Sequence, residues 1–246
     1  MHTEESTLDS SAKEKSMENV WNARIPRINE PAPDFTAKTT HGPRSLRDYR
    51  GKWLILFSHP ADFTPVCTSE FLAFAKSHDR FQKLGCELLG LSIDSTFSHL
   101  AWIRNIKEKF GVDIPFPIID DLSMTIAHDF GMIQPGASDT STVRATFFID
   151  PEGKVRAMVY YPMTNGRSVE EFLRLLEALQ ISDRHGVATP EGWCPGEKVM
   201  VRPPVTAKEA EARAKAGYEY TDWYFSKTDI SKSAPAKKKR AARQMK

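Results

Sequence analysis

WLILFSHPADFTPVCTSEFLAFAKSHDRFQKLGCELLGLSID, residues 53–94, reads as strand, loop, helix and strand. WLILFS (Trp53 to Ser58) is short, apolar and β-prone, the pattern of a buried strand. After the loop, Phe71, Leu72, Ala75, Phe81 and Leu84 recur at near-helical spacing up to a stop at Gly85. CELLGLSID is a second apolar run.

The alternation continues outward from this segment. STFSHLAWIRNIKEKFG predicts an amphipathic helix opened by Ser95 or Thr96 and closed by Gly111. FPIID predicts a strand, and SMTIAHDFG a short helix. RATFFID and KVRAMVYY flank the turn Asp150-Pro151-Glu152-Gly153 and predict a hairpin. SVEEFLRLLEALQIS predicts a further helix. Strands alternating with helices, plus one hairpin, imply an α/β fold with a mixed sheet flanked by helices.

Four segments follow from the patterning: a polar N-terminal extension at 1–27, a main domain at 28–182, an arm at 183–225 and a basic, disordered tail at 226–246. The stretch between Ile28 and Gly51, with Pro31, Pro33 and HGP, is turn-rich and leads toward the apolar run. In the arm, TPEGWCPGEKVMVRPP reads as loop, AKEAEARAKAG as a short polar helix and YEYTDWYF as an aromatic stretch. Its apolar residues are too sparse for a core of its own. No internal repeat is visible.

The 246 residues carry a net charge of +2, unevenly spread. From Ser226 to Lys246 there are eight Lys or Arg and one Asp, so the tail carries +7 and the remainder −5. The run Lys237 to Arg240 (KKKR) reads most simply as a solvated tail, with a nuclear address as the alternative. No aromatic interleaving or binding fold accompanies it, which argues against nucleic-acid recognition. No apolar run approaches the roughly 20 residues of a bilayer span, and the N-terminus lacks a signal-peptide core. A cytoplasmic protein without membrane association is the expectation.

Three cysteines, Cys67, Cys86 and Cys194, are too few and too scattered for a disulfide-stapled fold. They show no zinc-ligand spacing, so neither a metal nor another cofactor is expected. Cys86 opens a strand-like run and reads as a core residue. Cys67 differs. It follows the strand-to-helix loop, where open α/β sheets hold their chemistry, and Pro65 is placed to open the helix. The helix dipole and free amide groups there favour a thiolate.

A free thiol is only a few per cent ionised at neutral pH, so full ionisation could gain only about 30-fold. The rest of any fast reaction must come from binding its partner and stabilising departing charge. Thr64 offers a hydroxyl, the Val66 and Cys67 amides offer donors, and Pro60 offers a screen against water. Taken singly, Thr64, Pro60 and Pro65 would be turn punctuation, and Cys67 a buried structural thiol.

P-A-D-F-T-P-V-C-T, residues 60–68, resembles the P-x-x-x-T-x-x-C motif of the peroxiredoxins. His59 before it, Thr68 and Glu70 after it, and the long arm are most similar to the one-cysteine class and its archaeal relatives. The resemblance spans roughly Ile28 to Phe225. It implies a thioredoxin-like fold in which Cys67 is the peroxidatic residue, a hydroperoxide is the substrate and a thioredoxin-like or low-molecular-weight thiol is the reductant. Arg144 matches the family's R-x-x-F-x-I-D pattern and is implied to lie over the thiolate, with Glu70 orienting it and His59 near the sulfur. A homodimer, and its assembly into a decamer, is implied as well.

Where two-cysteine relatives carry a resolving cysteine, this chain has Thr189, and Cys194 follows five residues later. Where archaeal relatives carry cysteines in the arm's aromatic stretch, Tyr220 and Ser226 stand. This departure points to one-cysteine turnover, with Cys194 as the minor alternative for a resolving residue. A redox sensor or holdase using Cys67 is the competing function. The lack of CxxC argues against a disulfide oxidoreductase, and the lack of G-x-S-x-G against a lipase.

Overall fold

The computed structural model describes residues 25–134, 136 and 140–230. The polar residues up to 24 and the Lys237–Arg240 run lie outside the described residues. Elements in chain order are β1 (Thr36–Thr39), β2 (Arg44–Ser45), a 3₁₀ turn (Leu46–Tyr49), β3 (Trp53–Ser58), α1 (Pro65–Lys83), β4 (Cys86–Ser92), α2 (Thr96–Phe110) and β5 (Ile118–Asp120). These are followed by α3 (Thr125–Asp129), β6 (Arg144–Ile149), β7 (Val155–Tyr161), α4 (Val169–His185), β8 (Val199–Met200), α5 (Ala207–Arg213), β9 (Glu219–Asp222) and β10 (Phe225–Thr228).

Seven strands form one mixed sheet in the order β2-β1-β5-β4-β3-β6-β7. The strands β3, β4 and β5 run parallel, whereas β6 is antiparallel to β3 and β7. All six residues of β3 are buried, as expected for a strand covered on both faces. Its side chains alternate. Leu54 and Leu56 join a core with Leu89, Leu91, Phe130, Phe147 and Ile149. Phe57, on the other face, meets Phe71 and Phe74 of α1 at ring distances of 5.5 and 4.4 Å.

The same alternation in β6 sends Ala145, Phe147 and Ile149 to the first core. Arg144 and Thr146 therefore point to the α1 face, and the register pairs Thr146 with Phe57. Helix α2 begins as expected, with the Ser95 side chain accepting the Ser98 N–H, and ends at Gly111 with φ +67°. No helix among the described residues is long and apolar enough to cross a membrane.

The turn-rich stretch 28–51 also carries strands, which the sequence reading did not identify. It contains β1 and β2, and β1 pairs with β5 through Lys38–Asp120 and Thr39–Ile119. TAKT carries no hydrophobic period, so its strand identity comes from the partner rather than from propensity.

The chain divides into two compact units between Val169 and Glu170. The helix α4, expected to close the first domain at 182, thus falls almost wholly in the second unit. The segment expected to be a core-less arm also differs from that reading, and the first residues of the tail expected to be disordered lie instead in β10. A three-stranded sheet, β8-β10-β9, runs through it, and Ala178, Trp193 and Val199 form a small core with Ile181 and Val187 packed on it. One buried tryptophan supplies enough apolar area for a short sheet to gather around.

Candidate active site

The buried strand β3 delivers the chain to the loop 59–64, and Pro65 occupies the first position of α1. A proline there lacks only an N–H that would be unpaired in any helix. Thr64 caps the helix in extended conformation, and its hydroxyl donates to the Ala61 carbonyl at 2.9 Å. Its lone pairs, rather than its proton, are left for a ligand. Phe63, just before it, is exposed and held at φ +55°, a conformation costing a bulky residue about 1–3 kcal/mol. Pro60 is buried. Cys67 lies in the first helical turn and is fully buried. The N–H groups of Val66 and Cys67 have no backbone acceptor among the described residues, as the first turn of a helix requires.

A fixed cation meets the sulfur. Arg144 Nη1 donates to Cys67 Sγ at 3.3 Å and to Glu70 Oε2 at 2.8 Å. Its Nε and Nη2 both donate to the Met163 carbonyl, at 2.9 and 2.7 Å, which fixes the plane of the guanidinium. Glu70 stands one turn after Cys67 on α1, as expected of a residue that orients Arg144.

The sequence reading missed Arg167. Its backbone N–H and Nε donate to Glu70 Oε1 at 2.7 and 2.9 Å, and its Nη2 to Oε2 at 2.8 Å. Its Nη1 reaches Ala145 O and Thr146 Oγ1, and the guanidinium lies 5.4 Å from the Phe57 ring centre. A Cβ on Gly166 would lie 3.4 Å from Val66 Cγ1, an ordinary contact that places this segment against α1.

Burial pushes the Glu70 carboxyl up, but the hydrogen bonds and charge of Arg167, helped by Arg144, outweigh it and hold the group below the usual carboxylate range. One carboxylate faces two guanidinium groups in a buried cluster, which leaves one positive charge uncompensated. A thiolate on Cys67 balances it, as does an oxyanion leaving that sulfur.

On the other side of the loop, His59 is fully buried and stacks on Trp102, with ring centres 5.2 Å apart. Its Nε2 lies 3.0 Å from Asp62 Oδ1. A cavity of about 410 Å³ opens beside the loop, lined by Phe63, Thr64, Pro65, Thr68, Trp102 and Phe110 among others. It gives the helix N-terminus an apolar approach.

The other two cysteines lie elsewhere. Cys86 is buried at the start of β4, and burial, with Glu87 nearby, pushes its thiol far up, in keeping with a core residue. Cys194 is exposed in the second unit, and all three thiols are free.

Comparison with known proteins agrees with this geometry. The sequence model of the AhpC/TSA family matches residues 28–158, and that of the C-terminal domain of 1-Cys peroxiredoxin matches residues 178–217. A peroxiredoxin of Aquifex aeolicus is 54% identical over 217 residues, covering 84% of this chain and 98% of the relative. One of Hyperthermus butylicus is 50% identical, covering 89% and 95%. Among solved structures, the yeast mitochondrial 1-Cys peroxiredoxin superposes with a TM-score of 0.74 at 42% identity, over 83% of this chain and all of that one. A cysteine-to-serine mutant of Arenicola marina peroxiredoxin 6 gives 0.73 at 36% identity, over 84% and 99%. With its thioredoxin-like sheet, its helix-borne thiol and these relatives, the chain belongs to the AhpC/TSA family, the thiol-dependent peroxidases called peroxiredoxins.

Proposed function

We propose that this peroxidase reduces hydrogen peroxide and organic hydroperoxides through Cys67, with Arg144, Glu70, Arg167 and the first amides of α1 as its anion-stabilising frame. The observation that carries the assignment is the 3.3 Å contact from Arg144 Nη1 to Cys67 Sγ, held by Glu70. The thiolate attacks the terminal oxygen of ROOH. An S–O bond forms as the O–O bond breaks, and the departing alkoxide takes a proton to leave as ROH. Cys67 is oxidised by two electrons to the sulfenic acid. One thiol then displaces water to form a mixed disulfide, and a second releases the Cys67 thiol as the donor's disulfide.

The lining of the cavity beside Thr64 suits the apolar tail of an organic hydroperoxide. A thiol donor from outside the chain is favoured, since Cys194 carries no built environment. The yeast relative's structure is described in terms of thiol resolution through glutathione and thioredoxin systems, which supports the same donor class. Consumption of thiols suits a reducing compartment such as the cytoplasm. The second unit is the contact we assign to a homodimer, with a decamer as its higher assembly.

Stopped-flow oxidation of the reduced chain by hydrogen peroxide, with mass spectrometry of the products, tests the reading. Fast formation of one sulfenic acid, absent in Cys67→Ser, is the expected result. Oxidation of Cys67 no faster than that of a free thiol would overturn it.

A further inference from the structure

At the ends of β3 and β4 that face away from the reactive loop lies a polar cavity that the peroxide chemistry leaves unused. It has a volume of about 280 Å³ and is lined by residues of the first unit alone. Lys52, just before β3, and Glu87, the second residue of β4, stand in its wall, whereas Cys67 follows the far end of β3.

Local sequence places the donors. The Thr39 hydroxyl donates to the Gly42 carbonyl at 2.6 Å and accepts the His41 N–H at 3.0 Å, and Gly42 takes φ +82°. The turn between β1 and β2 is thereby fixed, with His41 at the cavity. The Asp48 carboxylate accepts the Ser45 N–H at 2.7 Å and holds the 3₁₀ turn that carries Tyr49. Tyr49 is only 8% exposed, and its hydroxyl has no hydrogen-bond partner among the described residues. A buried hydroxyl left unpaired is costly, and folded proteins keep few of them. Burial pushes its pKa up to about 12, so at neutral pH it carries a proton to donate. The charges that act on this hydroxyl are those of Arg44, Glu87 and Asp48, which all line the cavity.

Those charges differ in what they have left to give. Glu87 already accepts from Lys52 at 2.7 Å and from Gln82 at 2.9 Å, and Asp48 is exposed and engaged by its own turn. Arg44 Nη1 donates to the carbonyl of the adjacent Pro43 at 2.9 Å, and no carboxylate among the described residues pairs with its guanidinium. Burial and the Arg44 charge lower the basicity of His41, so its ring is neutral. One guanidinium and one buried hydroxyl are thus donors without a matching acceptor. Leu88, Pro115 and Pro117 supply an apolar wall beside them.

We propose that this cavity binds a small organic acid, its carboxylate held by Arg44 and the Tyr49 hydroxyl and its apolar body set against Leu88, Pro115 and Pro117. A guanidinium matches a carboxylate with two parallel N–H groups, and the buried hydroxyl adds a third donor to the same anion. The ligand supplies the acceptor that the fold withholds from Tyr49.

The test is calorimetric titration of the reduced full chain with benzoate, in a buffer free of phosphate and carboxylates, with inorganic phosphate as an anion that lacks an apolar body. Benzoate should bind at about 1 mM or tighter and phosphate about tenfold more weakly. Tyr49→Phe and Arg44→Gln should each weaken benzoate about tenfold or more, the scale of a hydrogen bond to a charged group. Without ligand, Tyr49→Phe should melt no lower than the wild type, because its hydroxyl has no protein partner to lose. Neither variant should change the rate of Cys67 oxidation, so the outcome is independent of that assignment. No measurable benzoate binding, equal binding by Tyr49→Phe, or phosphate binding as tight as benzoate overturns the proposal. So does a lower melting temperature for Tyr49→Phe, which would mean that bound water already satisfies the hydroxyl.

Discussion

Cys67 and Cys194 are both free thiols with an arginine near them, yet their surroundings differ in kind. The Arg144 guanidinium is buried, reaches the sulfur at 3.3 Å, and shares one carboxylate with Arg167. Near Cys194 the cation is Arg174, whose Nε and Nη2 donate to Glu171 at 2.6 and 2.7 Å and whose Nη1 donates to the Trp193 carbonyl at 3.0 Å. The Cys194 thiol is exposed and donates to the Gly192 carbonyl at 3.6 Å. Exposure alone therefore does not mark the chemical thiol. What marks it is a buried positive charge in excess of the one carboxylate it shares, together with helix amides that have no backbone acceptor among the described residues.

The comparison breaks most visibly if Glu70 is removed. Glu70→Gln removes the one carboxylate that two buried guanidinium groups share and should cost about 3–5 kcal/mol of unfolding free energy, measured by urea denaturation. An unchanged midpoint would mean that water already neutralises the cluster. Arg144→Gln removes the cation at the sulfur. The second-order rate of peroxide oxidation should fall about 10²- to 10³-fold, the scale of losing one anion-stabilising donor. A loss under fivefold would hand the stabilisation to the amides of α1.

The acid limb of stability sharpens the same contrast. The Glu70 carboxyl is depressed in the folded chain, so its contribution is complete above its ordinary value of about 4.5. It is lost as the pH falls through the lower folded value. Urea midpoints should thus drop more steeply below about pH 4.5 in the wild type than in Glu70→Gln. Asp62, depressed by its two histidines, adds to the same limb. The smallest effect is expected at Cys194. Cys194→Ser should change the oxidation rate by less than about twofold. An alkylating reagent should label Cys194 readily in the folded chain but reach Cys86 only on unfolding.

Much of the site was legible because its signals are local. Pro65 at the first helical position, Gly111 at a helix end and the apolar run 53–58 state their conformations within a few residues. Arg144 was found through its motif, and alternation in RATFFI then dictates which face it points to. Arg167 was not legible. An arginine ahead of a helix reads as a surface residue, and its carboxylate lies 97 positions away. The strands of the second unit were missed for a related reason, since two- and four-residue strands carry no period long enough to read.

The sequence by itself determined the alternating α/β order, the helix that begins at Pro65 and the place of Cys67 in its first turn, because capping, proline geometry and hydrophobic period act over a few residues. The tertiary structure alone decided which charges share Glu70, that Asp62 meets His99 across 37 positions, and that TAKT becomes a strand on β5. Buried charges and edge strands take their state from whatever the fold brings within a few ångströms, and those partners lie far along the chain.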